Sequence, residues 1–162
     1  MQTRRIDPRL PAGAFLVALA FSACHGAGTA AVGPATPEAV VGDYLGALQS
    51  GAYATAYDLL TPNMTSEKGK IAWVTEQAAL MRIAEVKIES FEVFPARPQG
   101  DKVIVPNLLK STDKFINKGG ANEYELYTLI RADDGRWRIE QQQLVESDAV
   151  ANWFPERVRE KR

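Results

Sequence analysis

The sequence contains only one cysteine and one histidine, and they are neighbours, Cys24 and His25. Residues 26–162 therefore contain neither, which excludes a disulfide bond, a cysteine nucleophile and a histidine base from that part of the chain. Metal-ligand spacing and a glycine-rich phosphate loop beside a strand are also missing. Because only carboxylates and tyrosines remain for chemistry, we expect no cofactor, no bound metal and no catalytic residues.

The chain also lacks an excess of positive charge. It has 19 lysines and arginines against 20 aspartates and glutamates, which gives a formal net charge of −1. Nucleic-acid binding requires a basic surface that neutralises phosphates, so we expect no nucleic-acid partner. The same balance argues against broad electrostatic attachment to anionic lipids.

The first 24 residues have the composition of an export signal. Arginines precede an uncharged stretch at residues 10–23, and this stretch ends in Phe-Ser-Ala directly before Cys24. A basic start, a short apolar run and small residues at the end are typical of a signal peptide. The cysteine at this place resembles the bacterial lipoprotein signal, although Phe21 stands where an aliphatic residue is usual.

The lipoprotein resemblance implies that residues 1–23 are removed and that Cys24 is acylated, with chains such as palmitate. The protein is then held in the bacterial cell envelope through its membrane-anchored Cys24. His25 follows the cysteine, and by the same resemblance a residue other than aspartate there indicates the outer membrane, facing the periplasm.

Three other interpretations of the N-terminal segment stay open. An uncleaved transmembrane anchor is disfavoured, because the apolar run is shorter than the ~20 residues that span a bilayer. A twin-arginine signal would use residues 3–5, but the following Asp7-Pro8 fits that pattern poorly. An ordinary secretory signal would be cut after one of three alanines, Ala20, Ala23 or Ala27.

The rest of the chain divides into three segments. Residues 24–35 predict a flexible tether, because this small, glycine-rich stretch cannot bury enough apolar surface to offset the entropy of ordering. His25 lies in that tether, so a catalytic or metal-binding role is not expected for it. Residues 36–155 predict a single folded domain, and residues 156–162 a charged, solvated tail.

The first half of the domain predicts three helices. Thr36-Pro37-Glu38 is a typical helix start, with apolar residues following at helical spacing until Gly51 ends the helix. A second helix is predicted at about residues 53–60 and a third from near Ser66. The apolar stripe of the third helix predicts its buried face to be Ile71, Val74, Ala78 and Met81.

After Met81 the apolar spacing changes to two, which indicates strands. The alternation slips by one place before Phe91, and this predicts a β-bulge near Ser90. Pro106 suggests that its strand is an edge strand or contains a bulge. The predicted elements are strands at about residues 84–93, 102–111, 123–131 and 137–141, a turn at 133–135, and a short helix capped by Ser147 that ends near 153–155.

This order of elements predicts an α+β fold, in which three N-terminal helices pack on a curved antiparallel sheet of about four strands. Three segments together carry a resemblance: residues 36–45 (TPEAVVGDYL), 51–60 (GAYATAYDLL) and 134–139 (DGRWRI). In their order and spacing they resemble the cone-shaped nuclear-transport-factor-2-like (cystatin-like) superfamily, which is found in many small bacterial lipoproteins.

That superfamily includes ketosteroid isomerases, dehydratases and polyketide cyclases, as well as proteins without enzymatic activity. Its enzymes place Asp, Tyr or His inside the cone, but nothing in this sequence shows that Asp43 or Asp58 faces inward. We therefore expect a lipid-anchored envelope lipoprotein whose domain binds a small apolar molecule or an envelope protein without catalysis. The alternative is a ketosteroid-isomerase-like or dehydratase-like enzyme that acts in the cone.

Five side chains are candidate ligand contacts: Tyr44, Tyr57, Trp137, Gln141 and Gln143. Tyr44, Tyr57 and Trp137 are large aromatic residues that either fill the core or contact a ligand. Trp137, Gln141 and Gln143 alternate onto one face of the last strand. If Trp137 faces the core, the glutamines either line a polar end of the cone or lie beyond its rim, because buried amides need partners.

Overall fold

The computed structural model describes residues 35–159. The predicted signal peptide, Cys24 and nearly all of the predicted tether lie outside these residues, as does the end of the predicted tail. No helix within residues 35–159 is both long enough and apolar enough to cross a membrane.

Three helices open the described chain: α1 Pro37–Gln49, α2 Tyr53–Tyr57 and α3 Lys70–Ala84. The start of α1 is as predicted, since the Thr36 hydroxyl accepts a hydrogen bond from the Ala39 N–H at 3.2 Å. Gly51 follows the helix with a φ of +72°, a left-handed conformation that glycine adopts without strain. This conformation ends α1 and turns the chain into α2.

Helix α2 is shorter than predicted, and α3 begins and ends a few residues later than predicted. α2 ends at Tyr57, and Leu60 instead forms a bridge to Ile139 in the sheet. α3 begins at Lys70, because Ser66 and Glu67 have φ values of +52° and +57°, which no right-handed helix contains.

The predicted buried face of α3 is wrong at Ile71, whereas Val74, Ala78 and Met81 are half-buried. Ile71 is 86% exposed, whereas Trp73 is only 8% exposed. The Trp73 ring packs against the Tyr57 ring with 5.7 Å between the centroids. Since residues two apart lie about 200° round a helix, burying the larger Trp73 side chain turns Ile71 towards solvent.

An antiparallel sheet follows the helices. Its strands are β1 Lys87–Val93, β2 Arg97–Gln99, β3 Lys102–Thr112, β4 Asn122–Arg131 and β5 Trp137–Leu144. Their order is β1-β3-β4-β5, and the short β2, which the sequence did not predict, pairs with β3 beyond the end of β1. Gly135 has a φ of +75° in the predicted turn between β4 and β5. The predicted α+β fold is thus confirmed.

The predicted β-bulge in β1 is confirmed. Ile88 pairs with Ser111 and Ser90 pairs with Lys110, so Glu89 is the extra residue. The bulge restores the alternation, because Ile88 before it and Phe91 after it both pack on the same core.

The sequence suggested that Pro106 lies on an edge strand or at a bulge. The edge-strand prediction is wrong, because β3 is central in the sheet. The Pro106 carbonyl accepts a hydrogen bond from the Phe94 N–H at 2.9 Å. The N and C=O of one strand residue point to the same side, so the Pro106 nitrogen, which carries no hydrogen, faces the gap between β1 and β2. No hydrogen bond between β3 and β4 is lost there.

The main core lies between the helices and the inner face of the sheet. From β3, β4 and β5 it contains Val103, Val105, Leu109, Tyr127, Leu129 and Ile139, and from α1 it contains Val40, Val41, Tyr44, Leu45 and Ala47. The residues that alternate with these along the strands point to the outer face of the sheet. There Leu108 and Tyr124 form a second cluster with Phe94 and Phe154.

The C-terminal segment packs on that outer face. It contains helix α4 Val150–Trp153, preceded by Ala149 rather than by a capping Ser147, and the 3₁₀ turn Glu156–Val158. Arg157 pairs with Glu92, and the Arg159 guanidinium donates to the Phe154 carbonyl at 2.9 Å. The described part of the predicted tail therefore contacts the domain.

Candidate functional site

A cavity of about 430 Å³ lies between α1, α3 and the inner face of the sheet. This volume falls within the ~300–1,000 Å³ of typical small-molecule sites. About half of its wall is apolar and comes from Leu48, Leu60, Met64, Trp73, Met81, Val86, Ile88 and Leu109. The polar part of the wall is formed by Tyr44, Gln77, Ser111, Asp113, Glu123, Glu125 and Gln142.

Glu125 is a buried carboxylate in the polar wall of this cavity. It lies on β4 opposite Asn107 of β3 and is only 2% exposed. Its Oε2 accepts hydrogen bonds from Asn107 Nδ2 at 2.9 Å and from the Tyr127 hydroxyl at 3.0 Å. Its Oε1 accepts one from Gln142 Nε2 at 2.7 Å. These three donors fix both carboxylate oxygens.

Burial changes the protonation of this cluster. Loss of solvent raises the pKa of the Glu125 carboxyl above its usual value, although its three hydrogen-bond donors oppose the rise. Burial and the charge of Glu125 also raise the pKa of Tyr44 to about 12 and that of Tyr127 well above the ordinary value. Both phenols therefore stay neutral at physiological pH.

Tyr44 is the predicted ligand-contact residue that lines the cavity. It lies on α1, is 5% exposed, and packs edge-on against the Tyr127 ring with 6.0 Å between the centroids. Its hydroxyl has no hydrogen-bond partner within residues 35–159, although nearly all buried polar groups in proteins have one. The phenol is thus available to a ligand.

Two more carboxylates line the same polar wall. Glu123 Oε1 accepts hydrogen bonds from Ser111 Oγ at 2.6 Å and from Asn117 Nδ2 at 3.1 Å. The Asp113 carboxylate accepts the backbone N–H groups of Phe115, Ile116 and Asn117, which lower its pKa. Within residues 35–159, no cluster of three or more histidines, cysteines, aspartates or glutamates has an arrangement that could hold a metal ion.

Tyr57 and Trp137, also predicted as ligand contacts, are not part of the cavity wall. The Tyr57 hydroxyl donates to the Lys68 carbonyl at 2.9 Å. Trp137 is half-buried against the main core, and the Arg131 guanidinium lies 4.5 Å from its ring centroid.

Gln141 and Gln143 are exposed and do not line the cavity; Gln142 lies there instead. The cause is a second bulge: Leu129 pairs with Ile139 and Thr128 with Gln141, so Glu140 is extra and the faces change over. The Ile139 backbone is also bonded to Leu59 and Thr61, at 2.9 and 3.0 Å. Neither interpretation of the two glutamines holds, because the bulge places both on the outer face of the sheet, opposite to Ile139.

The helix aspartates do not face the cavity. Asp43 is exposed, and Asp58 pairs with Lys70 at 2.6 Å. The carboxylate that does face it, Glu125, was not identified from the sequence. One feature of the sequence pointed to it: Glu125 lies two and four residues before Tyr127 and Leu129, which are buried, and so shares their face of β4. The apolar residues on the other face of β4 obscured that feature.

A larger depression of about 690 Å³ lies beside the outer face, where the end of β4, the end of β5 and α4 meet. Among its lining residues only Val150 is buried, and the others are exposed or half-buried. Within residues 35–159 this depression has no buried polar group, whereas the inner cavity has one in Glu125. The inner cavity is therefore the better candidate site.

Neither a protein-family model nor a curated protein matches this sequence. Solved structures do resemble its fold. A SEC-C motif containing protein from Rhodopseudomonas palustris has a TM-score of 0.50 at 16% identity, over 68% of this chain and 80% of that one. A domain with a cystatin-like fold from Nostoc punctiforme has a TM-score of 0.49 at 13% identity, over 67% and 73%.

A third similar structure is a ketosteroid isomerase-like protein from Erwinia carotovora atroseptica. Its TM-score is 0.48 at 17% identity, over 67% of this chain and 93% of that one. At these identities the likeness concerns the fold alone. The described residues have the element order that the sequence predicts, helices followed by an antiparallel sheet.

Proposed function

We propose that the protein is an exported, lipid-anchored lipoprotein of the bacterial cell envelope, and that its domain binds a small, largely apolar molecule without catalysis. The observation that supports ligand binding is the cavity of about 430 Å³, which has an apolar side and a polar side whose Glu125 carboxylate is fixed by three hydrogen bonds. The lipid anchor is supported by the sequence of residues 1–24.

The two parts of the wall have different roles in the proposed binding. Burial of the apolar body of a ligand against side chains such as Leu48 and Ile88 contributes about 25 cal/mol per Å² of apolar surface. The Tyr44 hydroxyl, which has no hydrogen-bond partner within residues 35–159, can donate a hydrogen bond to the ligand. The apolar wall therefore supplies affinity, and the polar wall orients the ligand.

A neutral fluorescent probe tests the proposal. N-phenyl-1-naphthylamine is titrated into the full chain carrying Cys24→Ala, because detergent for an acylated protein would compete for the probe. We expect saturable binding that Leu48→Trp weakens at least ~10-fold, since the larger ring fills the cavity. The matched control is Ile71→Trp on exposed α3 surface.

The control variant should bind like the parent chain, and both variants should keep the parent melting temperature within a few degrees. Equal binding by Leu48→Trp and Ile71→Trp would place the probe outside the cavity. Absence of saturable binding in the parent chain would refute the ligand-binding function.

A second function is favoured by one specific observation. Glu125 is a buried carboxylate with a raised pKa, and the neutral Tyr44 hydroxyl lines the same cavity. A carboxylate base beside a phenol donor can move a proton on a bound ketone. Against this, both Glu125 oxygens already accept hydrogen bonds.

The enzymatic alternative is tested with a β,γ-unsaturated ketosteroid, whose conversion to the conjugated ketone is followed by absorbance. The binding proposal predicts no turnover above the buffer rate. Turnover that Glu125→Gln abolishes, and that Asp58→Asn on the surface leaves intact, would replace the binding module by an isomerase.

A further inference from the structure

We propose that the cavity selects ligands that carry a positively charged end, such as an ammonium group on an apolar body. The inference rests on the proposed function and names the ligand class of that same site.

The charge of the cavity wall has one sign. Asp113, Glu123 and Glu125 contribute carboxylates to it, and no lysine, arginine or histidine is among its lining residues. Within residues 35–159, Glu123 and Glu125 form no ion pair. Their negative charge is therefore not compensated by the described part of the protein.

Two of the lysines nearest in sequence pair with carboxylates outside the cavity wall, and a third acts on Asp113. Lys110 pairs with Glu89 at 2.8 Å, and Lys114 with Glu85 at 3.3 Å. Lys118 acts on Asp113 and helps to lower its pKa. The net negative potential is thus set by Glu123 and Glu125. A carboxylate or phosphate ligand would be repelled by it.

The aromatic groups of the wall supply the second, independent observation. Tyr44 is 5% exposed and lines the cavity, and its hydroxyl has no hydrogen-bond partner within residues 35–159. Its oxygen can accept a hydrogen bond from an ammonium N–H. The Trp73 ring also lines the cavity, and an indole face attracts a cation through its quadrupole.

These groups together match one chemistry. Uncompensated carboxylates and aromatic rings attract a cation, and the surrounding aliphatic side chains receive an apolar body. Charges interact more strongly in a partly buried site than in water, because the effective dielectric constant is lower. The charged end of the ligand should therefore control selectivity.

Three probes with one skeleton test the inference: 3-phenylpropylammonium, 3-phenylpropan-1-ol and 3-phenylpropanoate. Their binding to the full chain carrying Cys24→Ala is measured by calorimetry at pH 7 and low salt. We expect the ammonium probe to bind at least ~10-fold more tightly than the alcohol, and the carboxylate probe to bind most weakly.

Two charge-neutralising variants locate the effect. In Glu125→Gln, the glutamine Oε1 can accept from Asn107 and Tyr127, and a flip of the Gln142 amide presents an acceptor to the new Nε2. In Glu123→Gln the side chain keeps an Oε1 that accepts from Ser111. This variant tests the inference if Glu125→Gln does not fold. The matched control is Glu146→Gln, which removes an exposed carboxylate outside the cavity wall.

We expect each cavity variant to reduce the ammonium preference to less than ~3-fold while the affinity for the alcohol stays constant. The control should keep the full preference. Equal binding of ammonium and alcohol by the parent chain would overturn the inference and leave the ligand-binding function standing. An undiminished preference in both cavity variants would also overturn it, and failure of all three probes to bind would overturn both proposals.

Discussion

Removing the Tyr127 hydroxyl tests the hydrogen-bond network around Glu125. Tyr127 is fully buried, and its hydroxyl is one of three donors to the Glu125 carboxylate. In Tyr127→Phe the ring still packs against Tyr44, so the substitution removes the donor without opening a large cavity. The carboxylate then keeps two donors and remains buried.

A hydrogen bond to a charged group contributes about 1.5–3 kcal/mol, so we expect Tyr127→Phe to lower the free energy of unfolding by about 2 kcal/mol at pH 7. For a domain of this size, that corresponds to a fall in melting temperature of about 6–10 °C. The loss should be smaller at acidic pH, because a protonated Glu125 depends less on its donors.

The assay is urea unfolding of Tyr127→Phe at several pH values, compared with the parent chain. Tyr53→Phe is the matched control, since the Tyr53 hydroxyl has no hydrogen-bond partner within residues 35–159, and it should change stability by less than about 0.5 kcal/mol. If Tyr127→Phe matched this control at pH 7, Glu125 would not be an ionised acceptor of the Tyr127 hydrogen bond.

Three further predictions follow from the sequence and the fold. Cys24→Ala should move the native protein from the membrane fraction to the soluble fraction, and intact mass should show an acylated N-terminal cysteine in the parent; an unmodified soluble parent chain would contradict the anchor. Trp137→Ala should destabilise by about 2 kcal/mol, less than the ~3–5 of a fully buried aromatic, because the ring is half-buried; an unchanged melting temperature would be against this packing. Burial raises the pKa of Glu125 in the folded state above 4.5, its ordinary value, which applies to the unfolded state. Between the unfolded and the folded pKa the folded state binds more protons, so its stability falls as pH rises through that range. Glu125→Gln should therefore gain stability relative to the parent from acidic to neutral pH in denaturant titrations, and a constant difference would refute the shift.

The features that the sequence predicted correctly are set by neighbouring residues. Thr36 caps α1 through the N–H three residues later. The slip of alternation before Phe91 required an extra residue, and Glu89 is that residue. Gly135 supplied the positive φ of the hairpin turn. In each case the cause lies within a few residues of its effect, so a single sequence contains it.

The features that were predicted wrongly or missed depend on distant contacts. Gln142 replaces Gln141 in the inner face because the Ile139 backbone bonds to Leu59 and Thr61, about 80 residues earlier in the chain. The buried face of α3 depends on the Tyr57 ring on another helix. The sequence of β5 gives no indication of its contacts with Leu59 and Thr61, and that of α3 gives none of its contact with Tyr57.

The pair Asn107–Glu125 ends a row of apolar cross-strand pairs. The next pairs on the inner face are Val105 with Tyr127 and Val103 with Leu129. Burying a carboxylate costs several kcal/mol unless it is well hydrogen-bonded, and an apolar pair of similar volume would often be at least as stable.

Stability alone therefore does not account for a carboxylate at this position. Asn107 adds to the cost, because its Oδ1 is buried without a hydrogen-bond partner in the described part of the chain. Glu125 lies where the apolar inner face meets the cavity, and its donors come from both neighbouring strands, Asn107 on β3 and Gln142 on β5. An arrangement that fixes a costly charge at the wall of an apolar cavity is the arrangement expected of a ligand-recognition group.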